Sequence, residues 1–313
     1  MFSLLLEQCP LTTIRPCTVD FFRLSMSPTP TLDDLRREID EIDVAIHKLL
    51  MRRTEVVQEV AKVKPAGRPS IRPGREAEII RALVTRHDGL FPVPALVRIW
   101  REMVAALTRI QGPLAVAVVC PDDQRSALWD NARDHFGSST PAFAVNTPMA
   151  AMRAVSDGNA VLAVVPWPEE EDQDAWWRFL VSPDPKTPRI IARLPFLRYT
   201  GQQVGREGGD ALVLAAVPME ATGDDRTLLA VEFTQDISRG RLKDVLEAVG
   251  FTTLQLRTHH LPGGAGAVHL VEVVDFVPSD DPRLAAVAAK LGDNAVRVLP
   301  IGAYATPIML TRP

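Results

Sequence analysis

One apolar stripe constrains this chain more than any other feature. Leu32, Leu35, Ile39, Ile42, Ile46, Leu49, Arg53, Val56, Val60 and Val63 recur at alternating spacings of three and four residues. That is an unbroken heptad pattern, the signature of a helix whose apolar seam faces another helix. Thr31 and Asp34 supply a start resembling a capping box, with Asp in place of the usual Glu or Gln. At ~1.5 Å per residue, a helix carrying the whole stripe is about 48 Å long. A segment of roughly 80 residues cannot bury a helix of that length within itself. The stripe therefore predicts a partner helix of similar length, most simply a second copy of the same one.

The remaining pattern divides the 313 residues into segments. Residues 1–30 begin apolar, but Glu7 ends the run, no basic stretch precedes it, and Pro10, Pro16, Pro28 and Pro30 break any long helix. They read as a disordered extension, or as an early start codon with Met26 as the working one. Residues 31–111 are helical throughout. After the long helix, Pro65, Gly67, Pro69 and Pro73 mark a loop, a second helix runs near Arg75 to Arg86, and a third begins at Pro94. The stripe of the third helix is Leu96, Trp100, Met103, Leu107 and Gln111.

Gly112-Pro113 punctuates a change to strand–helix alternation over residues 112–222. Strands are expected at 114–119, 143–145, 161–165, 189–192 and 211–217, with helices at 122–136 and 149–155. Continuous apolar runs such as Val161 to Val165 point to a sheet buried on both faces. Residues 223–313 read strand 228–233, helix 240–249, strands 252–258 and 268–276, helix 282–291 and strand 295–299. That order is the split β-α-β arrangement.

Composition excludes several function classes. With 35 basic and 39 acidic residues, the net charge of −4 argues against a nucleic-acid or anionic-membrane partner. No apolar run approaches the ~18 residues that span a bilayer. Cys9, Cys17 and Cys120 show no metal-ligand spacing, so reduced thiols and a cytoplasmic location are expected, with no structural metal.

Against that background the charged residues of the helical segment stand out. Arg53 occupies a core position of the stripe, where a cation is rarely buried unless paired. Lys64 follows eleven residues later, about 20° off the same face and ~16 Å along the axis. Two long cationic side chains can thus lean toward one compact anion. Arg36, seventeen residues before Arg53, is about 100° off that face and ~25 Å away, so only an antiparallel copy could bring it to the same place. Gln111 ends the apolar stripe of the third helix, and Arg75 and Glu76 open the second.

The run LRREIDEIDVAIHKLLMRRTEVVQEVAKVK, from Leu35 to Lys64, followed by RPSIRPGRE, resembles the all-helical chorismate mutase family. The likeness is to the amino-terminal module of fused mutase–prephenate dehydratase proteins. It implies an intertwined homodimer, chorismate as substrate and prephenate as product, within aromatic amino-acid and phenylalanine biosynthesis. It also implies roles. Arg53 and the partner's Arg36 would hold the substrate carboxylates, and Lys64 and Gln111 would bond the ether oxygen. Glu76 would contact the ring hydroxyl and Arg75 would support the site. No cofactor or metal is implied, because the reaction is a rearrangement within one dianion. Two positions depart from the family pattern: Arg72 stands where an acidic residue is usual, and Leu107, beside Thr108, where a small hydroxyl residue is usual. The same fold hosts isochorismate–pyruvate lyase.

The later segments resemble the rest of such fused proteins in reduced form. Residues 112–222 resemble a degenerate prephenate dehydratase lobe. The family's Thr-Arg-Phe motif falls near Gly209-Asp210-Ala211, without the threonine, and the stretch after Pro166 is Trp167-Pro168-Glu169-Glu170. Residues 223–313 resemble an ACT domain, with Gly240-Arg241-Leu242 near its start and Gly302-Ala303-Tyr304 near its end. Arg257-Thr258-His259-His260 replaces the family's Glu-Ser-Arg-Pro stretch, and His259 and His260 read as exposed strand-end residues. The expected fold class is an all-α mutase dimer domain, an α/β lobe and an α+β ACT (βαββαβ) domain, with an aromatic amino acid as a possible effector. The alternatives are a bifunctional mutase–dehydratase and a non-catalytic amino-acid sensor.

Overall fold

A computed structural model describes residues 30–63, 70–121, 127–170, 175–184, 186–202, 209–235, 237–264 and 266–311. The expected extension up to residue 29, and Lys64, lie outside the described residues. The chain divides into two units, one ending at Arg53 and one beginning at Thr54.

The first unit is dominated by helix α1 (Leu32–Val63), which continues unbroken past the unit boundary. Its start is a reciprocal cap. The Asp34 N–H donates to Thr31 Oγ1 at 3.2 Å, and the Thr31 N–H donates to the Asp34 carboxylate at 3.1 Å. No residue of α1 is buried. The heptad stripe is open to water, with Leu49 70% and Ile39 57% exposed.

In the second unit, α2 (Pro73–Thr85) and α3 (Val93–Gln111) form a helical hairpin. Proline stands in the first turn of each, where its missing N–H would have no helical partner. Helix α2 buries Gly74, Ala77, Ile80 and Leu83. Helix α3 buries Val97, Arg101, Ala105 and Thr108, and of its expected stripe only Leu107. Leu96, Trp100, Met103 and Gln111 are half-buried. Helix α3 thus has two working faces, and the more buried one is not the stripe that periodicity suggested. A cluster of Ala77, Ile80, Val97, Phe196 and Ala305 seals the hairpin against the rest of the unit.

That remainder is built on one nine-stranded mixed sheet. Strands β1 (Val116–Val119), β2 (Ala142–Val145) and β3 (Leu162–Pro166) are parallel, linked through α4 (Ala127–Phe136) and α5 (Pro148–Ser156). Strand β4 (Arg189–Leu194) is followed by β5 (Leu197–Tyr199), and β6 (Ala211–Ala215) inserts antiparallel between β3 and β4. Then come β7 (Asp225–Phe233), α6 (Arg239–Ala248), β8 (Thr253–His260), β9 (Ala267–Val274), α7 (Pro282–Leu291), β10 (Ala295–Ala305) and β11 (Ile308–Leu310). The sheet order is β2-β1-β3-β6-β4-β10-β7-β9-β8, and β11 pairs with β5 in a small second sheet. Every residue of β1, β3 and β6 is buried, which explains their unbroken apolar runs.

The sheet does not stop where the sequence pattern changes. Strands β4 and β10 pair in parallel at Ile190 and Gly302 and join the two halves. Gly302 has no left-handed backbone; its requirement is space. A Cβ there would overlap the Ile190 Cβ and carbonyl oxygen. A glycine-to-alanine change in an ordinary strand is favourable by ~0.5–1 kcal/mol. Here Gly302→Ala should instead destabilise by about 2–3 kcal/mol through overpacking. Urea denaturation checks this, and an unchanged midpoint would show that the joint has slack.

Candidate active site

The five described candidate residues fall in different surroundings. Arg36, on the first turn of α1, is exposed and pairs with Asp33 at 3.3 Å. Such a pair contributes under ~1 kcal/mol and releases its arginine easily. Arg53 is half-buried, and partial burial holds its guanidinium below its ordinary value. Among the described residues no carboxylate forms an ion pair with it. A cation on an apolar stripe without a carboxylate partner is a place where an anion would be stabilised.

Arg75 and Glu76 share the first turn of α2 but face different ways. Arg75 is exposed and pairs with Glu78 at 2.9 Å. Glu76 points inward and accepts a hydrogen bond from Arg101 Nη1 at 3.0 Å. Together they line a crevice against the sheet with Ile191, Phe196, Val213 and Ala305. Burial pushes the Glu76 carboxyl up, against the pull of Arg101 and with a further push from Glu220. Burial likewise lowers Arg101, and Glu76 works in the opposite direction. The Arg101 guanidinium also lies over the Phe196 ring, 5.3 Å from its centroid. The sequence signal for Arg101 was present and was missed: it stands four residues from Val97 and from Ala105, a charge on an apolar face, as Arg53 is.

Gln111 closes α3, and its amide donates to the Leu107 carbonyl at 3.3 Å. The hairpin brings this end of α3 beside the entry to α2. The Ser70 hydroxyl lies 3.9 Å from where a Cβ would sit on Gly112. So the second unit gathers Gln111, Arg75 and Glu76 toward one end of the hairpin, while Arg36 and Arg53 belong to the first unit. The Arg72 departure has a structural use, since its Nε donates to Glu220 at 2.9 Å. Arg81 adds bonds to the Thr222 hydroxyl and to the Asp224 and Thr306 carbonyls, fastening α2 to the loop before β7.

Residues 35–112 match the chorismate mutase type II family, from the first turn of α1 to just past α3. The match takes in about a quarter of the chain. The chain is 32% identical over 151 residues to the bifunctional chorismate mutase/prephenate dehydratase of Stutzerimonas stutzeri, covering 45% of this chain and 40% of that one. It is 38% identical over 69 residues to the intracellular chorismate mutase of Mycolicibacterium smegmatis, covering 22% of this chain and 64% of that one. The chain thus spans about two fifths of the length of the bifunctional relative. Among solved structures, prephenate dehydratase from Arthrobacter aurescens in complex with L-Phe superposes with a TM-score of 0.46 at 13% identity, over 62% of this chain and 90% of that one.

Beyond the matched segment, the start of β6 holds a buried ionic network. Asp210 is fully buried and accepts hydrogen bonds from Arg198 and Arg193. Arg193 lies 4.0 Å above the Trp167 ring and 3.9 Å from Glu272, which accepts the Tyr304 hydroxyl proton in a hydrogen bond. Burial and the adjacent Glu272 push the Tyr304 phenol well above its ordinary value. His259 is half-buried and its Nε2 meets Arg178 at 3.2 Å, whereas His260 is exposed.

The Glu76–Arg101 pair yields a direct stability test. Removing one partner leaves an uncompensated buried charge, so Arg101→Ala should destabilise by about 3–5 kcal/mol. The double change Glu76→Leu with Arg101→Met should recover most of that loss. Urea midpoints decide it, and a single-variant loss under ~1 kcal/mol would mean water already solvates the pair.

Proposed function

We propose that this chain catalyses the rearrangement of chorismate to prephenate, working as a homodimer paired through α1. The observation that carries the reading is the matched helical segment with Arg53 set on its apolar stripe and no carboxylate ion-paired to it among the described residues. Dimerisation is supported by the stripe itself, which a second copy of α1 would cover.

The chemistry needs a clamp rather than a nucleophile. The substrate must be held in a compact chair-like conformer, which turns conformational freedom into fixed geometry. Arg53 and the partner's Arg36 take the two carboxylates, for which the planar guanidinium fork is suited. Negative charge grows on the ether oxygen as the C–O bond breaks, and donors aimed there act chiefly in the transition state. Lys64 and the Gln111 amide are those donors. Arg101 engages Glu76 Oε2, and the Glu76 carboxylate contacts the ring hydroxyl. Arg75 supports the anionic side of the site. None of these steps calls for a metal or redox cofactor.

The segment from β7 to β10 we read as an ACT-like domain, on its element order and its sheet order β10-β7-β9-β8. An aromatic amino acid is the effector such a domain would take. The bifunctional reading is the less favoured one, because the stretch near Gly209-Asp210-Ala211 lacks the threonine of the Thr-Arg-Phe motif and Asp210 is tied by Arg193 and Arg198. A cytoplasmic location belongs to the same proposal; no described helix is long and apolar enough to cross a membrane.

Two experiments test the reading. Purified protein given chorismate should form prephenate and stop. Phenylpyruvate at neutral pH above the no-enzyme control would restore the bifunctional reading, and no chorismate consumption would favour the sensor. Separately, Arg53→Ala should lower kcat/KM at least ~100-fold, about 2.7 kcal/mol, while light scattering still reports a dimer. Mixing Arg36→Ala with Arg53→Ala chains should regenerate some active sites, and no recovery in verified mixed dimers would refute the shared site.

A further inference from the structure

The second unit contains a cavity of about 400 Å³ between α3, α4 and the segment from Pro195 to Tyr199. That size lies within the range of small-molecule sites. None of the described candidate residues lines it. Its walls are mainly apolar, formed by Pro94, Val97, Phe196 and Leu197 among others. Its polar lining is Arg98, Arg101, Asn131, Asp134, His135 and Tyr199, of which two are guanidiniums and one, Asp134, a carboxylate. Arg98 and Arg101 stand three residues apart on α3, so both project from one side of the helix into the same space.

The two cations are held differently. Arg101 is buried, and among the described residues its one ion-pair partner is Glu76, through Nη1. Burial and Glu220 disfavour the charged form of the Glu76 carboxyl while Arg101 favours it, and burial disfavours the charged form of Arg101 as well. Arg98 stands at the mouth, pairing with Asp134 at 2.7 Å with both side chains more than half exposed. An exposed pair of this kind exchanges partners at little cost. His135 lines the inner wall, and burial, with a smaller push from Arg101, holds its imidazole well below its ordinary value. It is therefore neutral at neutral pH and offers one donor and one acceptor rather than a third cation. The Asn131 amide is anchored to the Gly209 carbonyl at 2.6 Å, which leaves its oxygen as an acceptor. The cavity thus joins an apolar, ring-lined body to a corner that holds two guanidiniums, each paired with one carboxylate.

We propose that this cavity binds a small ring-bearing carboxylate, its carboxylate held by Arg101 and Arg98 and its ring packed on Phe196 and Val97. Nothing in this assignment depends on the mutase reaction. It makes one specific electrostatic demand: Glu76 and the ligand share Arg101, so weakening one partner strengthens the other.

The test is titration calorimetry on the full chain with 3-phenylpropionate as probe, and 3-phenylpropionamide as its uncharged counterpart. The acid should bind one per chain with a Kd below ~1 mM, and the amide at least about tenfold more weakly. Ala95→Trp, at an exposed α3 position on the cavity rim, should abolish binding by filling the mouth. Arg98→Gln, also exposed, should weaken it about tenfold. Glu76→Gln keeps a hydrogen-bonding group for Arg101 but no charge, and should tighten the acid about threefold or more. Arg53→Ala should leave the affinity unchanged, which separates this cavity from the proposed chorismate site. Equal affinity for acid and amide, undiminished binding in Ala95→Trp, loss of binding in Arg53→Ala, or no binding to the wild-type chain would each overturn the assignment.

Discussion

Much about this chain follows from an apolar seam about 48 Å long that its own residues leave in water. Fully burying one exposed Leu or Ile side chain is favourable by about 1.5–3 kcal/mol. The ion pairs along the same helix, Arg36–Asp33 and Lys62–Glu59, are exposed and contribute less than ~1 kcal/mol each. Apolar contact therefore governs whether α1 finds a partner, and the charges influence only register and orientation. The same arithmetic makes Arg53 informative. A seam optimised for pairing alone would carry Leu or Ile there, so a guanidinium at that point indicates that pairing is not the seam's whole purpose.

A cation on an apolar helix face occurs twice in the matched segment, with different consequences. Arg101 is matched by Glu76 and packed on Phe196, so its charge fastens the helical hairpin to the sheet beneath. Arg53 has no ion-paired carboxylate among the described residues, and its charge stays available to a ligand. Glu76 stands at the meeting point of these two uses. It belongs to the proposed chorismate contacts and it also anchors Arg101, so the packing of the hairpin and the chemistry of the helices are not independent.

The sequence made the long helix legible almost residue by residue, because a heptad repeat is a local property: Thr31 and Asp34 cap it as the pattern implied, and it runs to Val63. The buried strands were legible for a similar reason, since runs such as Val161 to Val165 admit few other structures. Three features were not. The two three-residue strands β5 and β11 have no period of their own and exist only because Leu197 and Ile308 meet across more than a hundred residues. Arg101 stands on an apolar face that the sequence shows, but its partner, 25 positions earlier, follows only from the fold. The joining of the two sheet halves rests on Gly302 lying against Ile190, a contact that no window along the chain can contain. Of the proposed catalytic set, residue types and spacing could be read directly. The inward turn of Glu76 could not, because it depends on what packs above α2.

The Gly302–Ile190 joint also bears on how this molecule can be taken apart. Composition suggests a natural cut near residue 222, between an α/β lobe and a βαββαβ segment. In the folded protein β4 and β10 are interior strands of one sheet, and a cut there would not release two finished modules. Each fragment would carry a bare strand edge, with a row of unpaired backbone groups bordered by buried apolar side chains such as Ile190, Ile301 and Ala303. Such edges recruit other strands. The halves of this sheet thus protect each other from aggregation, which is a reason for the chain to keep both whatever either does by itself.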